Sequence, residues 1–298
     1  MADIKICVLL AAYNGSNSIQ EQLNTIIQQA NVIVDIVISI DLSDDDTFAI
    51  CSDYAKKYSN VKLLPYGERF GGAGKNFYRL LKDTDLNGYD YIAFSDQDDI
   101  WPENKLAKAI ESLQQYDCYS ANVTAFWEDA REVLIDKAQP QREWDFLFEA
   151  AGPGCTYVFK REVAIHFKAW LLDRYEIVAE DVALHDWLLY AFARSHGYRW
   201  FIDPVPMMRY RQHANNQVGT NNSFAAAKKR LQMIKSKWYG NQSTKIAEHL
   251  ELQHLPVVKY GLNRGYLGNL YLLCHVNKLR RRLRDRFALS FALFFNLF

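Results

Sequence analysis

The chain has 298 residues, which is enough for one large α/β domain with an appendage or for two small domains. Its 35 lysines and arginines balance its 35 aspartates and glutamates, so the net charge of zero gives no basic footprint of the nucleic-acid-binding kind. The 5 cysteines are scattered without a CxxC pair, which argues against a zinc site or a disulfide framework and favours a reducing, cytosolic setting. The N-terminus runs directly into a predicted strand, so no signal peptide is expected, and no apolar run reaches the roughly 18 residues that span a bilayer.

The first hundred residues alternate between predicted strands and helices. Ile4–Ala12 is a nearly continuous apolar run, which is typical of a parallel strand covered on both faces. A capping box of Ser18 and Glu21 then predicts the start of a helix. Further strands are expected at residues 32–40, 61–65 and 91–96, and further helices at residues 48–58 and from residue 74. Such alternation predicts an α/β fold built on a doubly wound, mostly parallel sheet.

Side chains that can bind a nucleotide follow several of these strands. Tyr13, Asp41 and Asp96 each lie at or just beyond the carboxyl end of a predicted strand. Ligands of doubly wound sheets bind at that edge of the sheet. The three positions therefore indicate a nucleotide site.

The second half of the chain is less regular. A helix is expected over Glu103–Tyr116, a loop-rich segment over residues 127–144, and another helix over Trp187–Ser195. The run Ile202–Arg211 has the composition of a strand, and its prolines place it at a sheet edge. After about Gly219 the composition becomes rich in lysine and arginine, which marks a boundary near residue 218.

The strongest single signal lies directly after the apolar strand at residues 91–94, in the sequence Ser95-Asp96-Gln97-Asp98-Asp99-Ile100-Trp101. Its three carboxylates fall within four residues, and such concentrated charge is stable only beside a hard divalent cation or strong hydrogen-bond donors. An isolated Asp-x-Asp is more often a solvated acidic turn. Here the buried strand before it and the Trp-Pro step after it favour a site for a metal ion and a diphosphate.

This motif resembles the signature of family 2 glycosyltransferases with a GT-A fold, especially their bacterial rhamnosyltransferase branch. Further blocks in the family's order extend the resemblance over roughly residues 4–218. The resemblance implies a Rossmann-like, mostly parallel sheet flanked by helices and an inverting, metal-dependent transfer of a sugar. We therefore expect a catalytic domain over residues 1–218, with a nucleotide-sugar half at about 1–100 and an acceptor half at about 101–218.

The resemblance assigns the nucleotide side of the site. The turn Ala12-Tyr13-Asn14 matches the turn that receives the nucleotide base, with Tyr13 as a stacking face. An ordinary Asn-Gly turn is the alternative interpretation of this segment. Asp41 would accept a hydrogen bond from the base, although Ile40 and Leu42 depart from the family's pattern on either side of it.

The phosphate and metal contacts are assigned in the same way. A Gly-rich loop places Lys75 near a helix N-terminus, which suits an anion and gives Lys75 a diphosphate-side or base-side role. Asp96 would bind the ribose, and Asp98 would bind the divalent ion, Mg²⁺ or Mn²⁺, that bridges the two phosphates. Arg211 would contact phosphate oxygens, and His213 is a candidate for a further metal or phosphate contact.

Inversion also requires a general base that deprotonates the acceptor hydroxyl. The block His185-Asp186-Trp187 matches the family's block in which the Asp is that base. The pair Glu180-Asp181 is the alternative, because other branches of the family use a Glu-Asp pair here. A helix cap is the non-catalytic interpretation of Asp186. The residues expected on the acceptor side are Trp101, Gly154, Cys155 and Trp187.

Residues 219–298 are predicted to form amphipathic helices. The segment Lys278–Phe287 carries a run of arginines around an apolar face of Leu279, Leu283 and Phe287, and an apolar run ends the chain. A basic amphipathic helix with such an end is typical of an interfacial anchor that is attracted to anionic lipid. Packing on the catalytic domain or on another subunit, as in a homo-oligomer, is the alternative.

The sequence thus predicts a glycosyltransferase that moves L-rhamnose from dTDP-L-rhamnose onto a lipid-linked saccharide at the cytoplasmic face of a bacterial membrane. No nucleic-acid partner is expected. A UDP-hexose or UDP-N-acetylhexosamine transferase is the alternative within the class. A sugar-phosphate nucleotidyltransferase would need a Gly-rich, basic loop after the first strand, which Ala12–Gly15 does not supply. A non-catalytic binding module becomes attractive only if Asp98 or Asp186 does not reach a shared cavity.

Overall fold

A seven-stranded sheet forms the centre of the computed structural model, which describes residues 4–212 and 232–298. The strands are β1 (Lys5–Ala12), β2 (Ile33–Ile40), β3 (Val61–Leu63), β4 (Tyr91–Ser95), β5 (Cys118–Ala121), β6 (Val123–Phe126), β7 (Glu132–Ile135), β8 (Val158–Lys160), β9 (Trp200–Asp203) and β10 (Arg209–Arg211). The helices are α1 (Ile19–Ile27), α2 (Thr47–Lys57), α3 (Ala73–Asp83), α4 (Lys105–Leu113), α5 (Arg161–Leu172), α6 (Tyr175–Asp181), α7 (His185–Ser195), α8 (Trp238–His249), α9 (Gly265–Cys274), α10 (Val276–Leu279) and α11 (Leu283–Phe294).

The main sheet has the strand order β3-β2-β1-β4-β8-β5-β9. Strand β8 runs antiparallel to both of its neighbours, and the other pairs are parallel. A second sheet of three strands has the order β10-β6-β7. The predicted α/β fold with a mostly parallel sheet is confirmed.

Helices cover both faces of the main sheet, which explains the apolar run of β1. Its alternate residues enter two separate clusters, with Ile6 and Val8 in one and Cys7 and Leu9 in the other. Helices α1, α2 and α4 pack on the first face, while α3, α5, α7 and the C-terminal helices pack on the second. A strand that is buried on both faces reads as continuous hydrophobic sequence.

Two local predictions need correction. The run Ile202–Arg211 forms two strands, β9 and β10, because the chain leaves the main sheet between them, where Pro204 and Pro206 lie. Each of these strands is at a sheet edge, as the prolines predict. The segment 127–144 is loop-rich as predicted, and it contains the short strand β7. Helix α1 does begin after Ser18, but the Ser18 side chain makes no capping hydrogen bond.

The C-terminal helices join the same hydrophobic core as α3 and α7, through side chains such as Ile246, Leu272 and Leu293. The predicted single basic helix is wrong, because the chain breaks between α10 and α11 at residues 280–282. Leu279 lies in the core, and the Arg281 side chain is also buried. Packing on the catalytic domain, the alternative named above, therefore holds for this part of the tail. Among the described residues, none of the helices has the length and apolar character that a bilayer crossing requires.

Candidate active site

Three adjacent parallel strands deliver the candidate nucleotide residues to one edge of the sheet. Strands β2, β1 and β4 lie side by side and end at Ile40, Ala12 and Ser95. The loop after β4 is tied to the loop after β1 by the Gln97 amide. Its Oε1 accepts a hydrogen bond from the Tyr13 backbone N–H, and its Nε2 donates to the Tyr13 carbonyl, both at 2.7 Å. Sequence reasoning assigned no role to Gln97.

Asp41 organises the Gly-rich loop in this structure. Its two carboxylate oxygens accept hydrogen bonds of 2.9 Å from the backbone N–H groups of Phe70 and Gly71. Gly71 has a φ of 82°, a conformation that favours glycine. The buried carboxylate thus fixes the loop beside the nucleotide edge, and its contact with a base stays a prediction.

Tyr13 and Asn14 form the rim of the same edge. The Tyr13 side chain is 43% exposed, and the Arg69 guanidinium lies 5.9 Å from the ring centroid. Asn14 adopts a φ of 45°, and its side-chain oxygen accepts a hydrogen bond from the Asp44 backbone N–H at 2.9 Å. An exposed aromatic face on a braced turn is suited to stacking against a planar ring.

Lys75 lies in the first turn of α3, and its ammonium group is paired with the Glu180 carboxylate. The next residue, Asn76, is buried and donates hydrogen bonds to the carbonyls of Ala12 at 3.3 Å and Ser39 at 3.1 Å. Helix α3 is therefore bonded to the ends of β1 and β2. The predicted contact of Lys75 with a phosphate would require it to share or leave Glu180.

The acidic motif forms a compact cluster after β4. Oxygen atoms of Asp96 and Asp99 and the Cys155 sulfur all lie within 4.8 Å of one another. Burial and then the Asp98 charge raise the pKa of Asp96 to about 7. The same two causes raise the pKa of Asp99 well above its ordinary value.

These residues fit a hard divalent cation. Neither carboxylate oxygen of Asp99 receives a hydrogen bond of good geometry from the part of the chain that the structure describes. Carboxylate oxygens are the ligands that Mg²⁺ prefers in proteins, and like charges this close need a counter-charge. Burial raises the pKa of the Cys155 thiol well above its ordinary value, so the thiol stays protonated and is a poor ligand. His213, the other predicted metal contact, lies outside the described residues.

Lys105 and Trp101 lie beside the acidic cluster and are both buried, which the sequence did not indicate. The Lys105 ammonium has no hydrogen-bond partner among residues 4–212 and 232–298 and lies 3.5 Å from the centroid of the Trp101 ring. Burial lowers the pKa of Lys105 to about 7. Trp101 is only 3% exposed, so its predicted contact with an acceptor is not what the structure shows. The Trp101 indole instead packs in the hydrophobic core with α1 and α4.

Arg211 lies at the end of β10, which pairs with Ile100 just after the acidic motif. Its Nε donates to the Asp98 carbonyl at 2.9 Å, and its terminal nitrogen is paired with Glu21. Arg211 therefore braces the loop that carries the carboxylates. Its predicted contact with phosphate stays a prediction.

Asp186 lies in the first turn of α7. Its Oδ1 accepts a hydrogen bond from the Trp187 backbone N–H at 2.8 Å, and burial raises its pKa to about 6. Its charge is the smallest of the named contributions to the raised pKa of Asp96, after burial and the Asp98 charge. Gly154 packs so closely that an added Cβ would lie 2.8 Å from the Asp186 Cβ. A half-buried carboxylate with a raised pKa can take a proton near neutral pH.

The neighbours of Asp186 in the same block are structural. His185 is stacked on Phe77 with 3.9 Å between ring centroids, and burial lowers its pKa to about 3, so it is neutral. Trp187 is 3% exposed, and its indole N–H donates to the Phe146 carbonyl at 2.9 Å. The predicted acceptor-side role of the Trp187 side chain is therefore corrected, because the indole is in the core. Cys155 is likewise buried.

The alternative base is bound to other side chains. Asp181 is paired with Lys245 at 2.6 Å and with His249 at 3.0 Å, both on α8. The hydrogen bond from Lys245 is the main cause of its lowered pKa. Its neighbour Glu180 is paired with Lys75.

Comparisons with known proteins agree with the predicted family and fold. The model of the family described as Glycosyl transferase family 2 matches residues 7–159. A dTDP-rhamnosyl transferase RfbG from Shigella flexneri is 49% identical over 292 residues, which are 97% of this chain and 100% of the relative. The Escherichia coli UDP-Glc:alpha-D-GlcNAc-diphosphoundecaprenol beta-1,3-glucosyltransferase WfgD is 26% identical over 53% of this chain and 60% of its own length. The mannosyltransferase PcManGT from Pyrobaculum calidifontis, solved in complex with GDP-Man and Mn2+, has a similar fold, with a TM-score of 0.52, 16% identity, and coverage of 97% of this chain and 84% of that one.

Proposed function

Because this chain belongs to glycosyl transferase family 2, we propose that it is an inverting rhamnosyltransferase that uses dTDP-L-rhamnose as its donor. The observation that carries the proposal is that two adjacent residues join the candidate groups, since Cys155 lies beside Asp96 and Asp99 while Gly154 packs against Asp186. The full-length similarity to a dTDP-rhamnosyl transferase supports the choice of donor.

We assign the following roles within this proposal. Asp96 and Asp99, which lie close together in the structure, and Asp98, the ligand that the motif predicts, would hold Mg²⁺ or Mn²⁺, which supplies positive charge to a diphosphate leaving group. Tyr13 offers its exposed ring to the base, and Asp41 keeps the neighbouring loop in place. The Asp186 carboxylate takes the proton of the acceptor hydroxyl as that oxygen attacks the anomeric carbon from the face opposite the diphosphate.

The donor assignment has a direct test. The full-length chain with Mg²⁺ should release dTDP from dTDP-L-rhamnose about tenfold faster, or more, than it releases UDP from UDP-glucose or UDP-N-acetylglucosamine, the scale on which a fitted pocket discriminates. Nucleotide release, measured by chromatography, reports each rate. Faster release from a UDP-sugar would move the assignment to the UDP-hexose alternative. Formation of dTDP-rhamnose from dTTP and rhamnose phosphate would indicate a nucleotidyltransferase.

We propose that the acceptor is a lipid-linked saccharide and that the protein docks on the inner face of the membrane. The Escherichia coli relative supports the acceptor class, since its name gives a diphosphoundecaprenol substrate. Large exposed apolar side chains of α9, α11 and the residue after α11, which we call the apolar C-terminal face, support the docking. This face comprises Tyr266, Leu267, Leu270, Leu283, Phe287, Phe291, Phe294 and Phe295.

The composition of this face favours a lipid surface over an anionic partner. Leu283, Phe287, Phe291 and Phe295 are spaced four residues apart, so they form one stripe along α11 and its end. The basic charge is smaller than the sequence suggests, because Arg281 is buried and Lys278 is paired with Glu143 at 2.7 Å. A helix with such a stripe lies in the interface plane and is held mainly by apolar burial.

Membrane docking should therefore depend on the phenyl groups more than on salt. Burial of each phenyl contributes roughly 1.5–3 kcal/mol at most, so Phe287→Ser with Phe291→Ser should lower the vesicle-bound fraction by about tenfold or more. Cosedimentation with vesicles of phosphatidylglycerol and phosphatidylcholine, at low and high salt, measures that fraction. Ile177→Ser is the matched control, because Ile177 is 63% exposed and lies on α6, which is not part of the apolar C-terminal face.

Full-length protein that stays in the supernatant at low salt would exclude lipid docking. If the double variant instead converts a dimer into a monomer on size-exclusion chromatography, the face is a contact between copies of the chain.

A further inference from the structure

The Arg281 guanidinium is fully buried where the tail meets the acceptor half of the protein. It forms ion pairs with Asp145 at 3.1 Å and with Glu149 at 3.4 Å, and it donates a hydrogen bond to the Ala150 carbonyl. The Arg281 backbone N–H also donates to Glu149, at 2.6 Å. A buried charge is tolerated only when it is paired and hydrogen-bonded in this way. The contact is therefore specific, and it joins α10 and α11 to the segment 145–150.

One route leads from this contact to α7, which carries the proposed base in its first turn. Asp145 also accepts hydrogen bonds from the Tyr190 hydroxyl at 3.1 Å and from the Arg194 guanidinium at 3.1 Å. The Trp187 indole donates to the Phe146 carbonyl, one residue further along the segment. Residues 187, 190 and 194 lie on one side of α7, so the segment that Arg281 holds contacts successive turns of the helix.

A second route reaches the base from the other side. Beyond Ala150, the Ala151 N–H donates to the Tyr157 hydroxyl at 3.0 Å, and the Ser120 hydroxyl donates to the Ala151 carbonyl at 2.7 Å. The chain then turns to Gly154, which packs against Asp186. Segment 145–154 therefore begins at the contact with Arg281 and ends at Gly154, which lies against the proposed base Asp186.

We propose that Arg281 is a positioning residue for the general base, acting through segment 145–154 and α7, and that the C-terminal tail is in this way part of the catalytic unit. The inference rests on the proposed role of Asp186. Within the described residues, the hydrogen bonds and ion pairs of Arg281 involve residues 145–190 and Arg286, none of which lies in the nucleotide half. Its loss should therefore change the chemical step and leave nucleotide binding intact.

The test compares Arg281→Met and Arg281→Lys with wild type, using dTDP as the binding probe and water as the acceptor. Calorimetric titration with dTDP gives the affinity and the number of competent sites, and hydrolysis of dTDP-L-rhamnose is then expressed per competent site. We expect dTDP affinity within about twofold of wild type and a per-site rate lower by 10- to 100-fold, on the order of the loss that a misplacement of ~1 Å causes. Lys should restore little, because an ammonium group lacks the planar fork that reaches several acceptors.

The control is Arg284→Met, since the Arg284 side chain is 78% exposed and pairs only with the adjacent Asp285 among the described residues. It should match wild type in both measurements. If Arg281→Met fails to fold, Glu149→Gln replaces it, because the amide keeps the side-chain volume and removes one charge from the ion pairs of Arg281. For this variant we also expect an unchanged dTDP affinity and a lower per-site rate, with a smaller loss of rate. An unchanged per-site rate would overturn the proposal, as would a dTDP affinity that falls in step with the rate. A wild-type protein that binds no dTDP would instead overturn the proposed donor.

Discussion

Transfer by an Asp98→Asn variant should fall by ~10³-fold or more, which corresponds to the several kcal/mol of charge stabilisation that a divalent cation supplies. Burial, and then the Asp98 charge, raise the pKa values of Asp96 and Asp99. Carboxylates crowded in this way are held ionised by a cation, and an amide in place of Asp98 removes one charged ligand. The rate of transfer from dTDP-L-rhamnose, measured over a range of Mg²⁺ and Mn²⁺ concentrations with EDTA as reference, gives the result.

The fold should survive this substitution, because β4 is held by buried apolar side chains such as Ile92 and Phe94. The free energy of unfolding, from denaturant titration, should therefore change little. Asp53→Asn is the matched control, since the Asp53 side chain is 77% exposed and is paired only with Lys56 within the described chain. It should keep full activity. Undiminished turnover of wild type in EDTA would remove the metal site altogether.

The sequence predicted well which residues lie at the carboxyl edge of the parallel strands, because that placement depends on local pattern. The apolar run of β1 and the polar residues after each strand specify a parallel sheet and the end at which its ligands bind. Asp41, Asp96 and Tyr13 therefore meet at one edge through strand order alone. The turn after β1 and the acidic motif after β4 needed no knowledge of distant contacts.

Prediction failed where distant side chains decide the structure. Arg281 and Asp145 are 136 residues apart, and only their contact shows that an arginine in a basic run is buried. Trp101 and Trp187 stand beside motif residues, yet each indole is in the core, because sequence adjacency does not give the direction of a side chain. The sequence did not indicate a role for Gln97 or Lys105. Gln97 contacts the loop after β1, and Lys105 contacts the Trp101 ring, and both contacts form only when the chain folds.

An Asp186→Asn variant should bind dTDP as wild type does and lose transfer by about 10²–10⁴-fold, the usual scale for a positioned acid or base. The Asn side-chain oxygen can still accept the hydrogen bond that the Trp187 N–H donates to Asp186, so the start of α7 is retained. Transfer rates and dTDP titrations on the same preparations separate the two effects. Loss of dTDP binding would show that Asp186 acts through the donor and not as a base.

The pH dependence of kcat gives an independent measure of the base. Burial raises the pKa of Asp186 to about 6, and a base must be ionised to take a proton. The wild-type kcat should therefore rise as the pH increases through about 6 and then level off. A bound cation would move this midpoint to lower pH, because it favours the ionised carboxylate. The residual rate of Asp186→Asn should lack the rise.

Asp181→Asn separates the two candidate bases. A carboxylate whose pKa is raised by burial is the stronger base, whereas the hydrogen bond from Lys245 lowers the pKa of Asp181 and makes it a weaker one. The Asp181→Asn variant should keep transfer within a few-fold of wild type, and its main defect should be a weaker attachment of α8, seen as a lower melting temperature. If it is inactive while Asp186→Asn is active, the base is Asp181. Lys245 and His249 would then tune the base, and α8 would line the site.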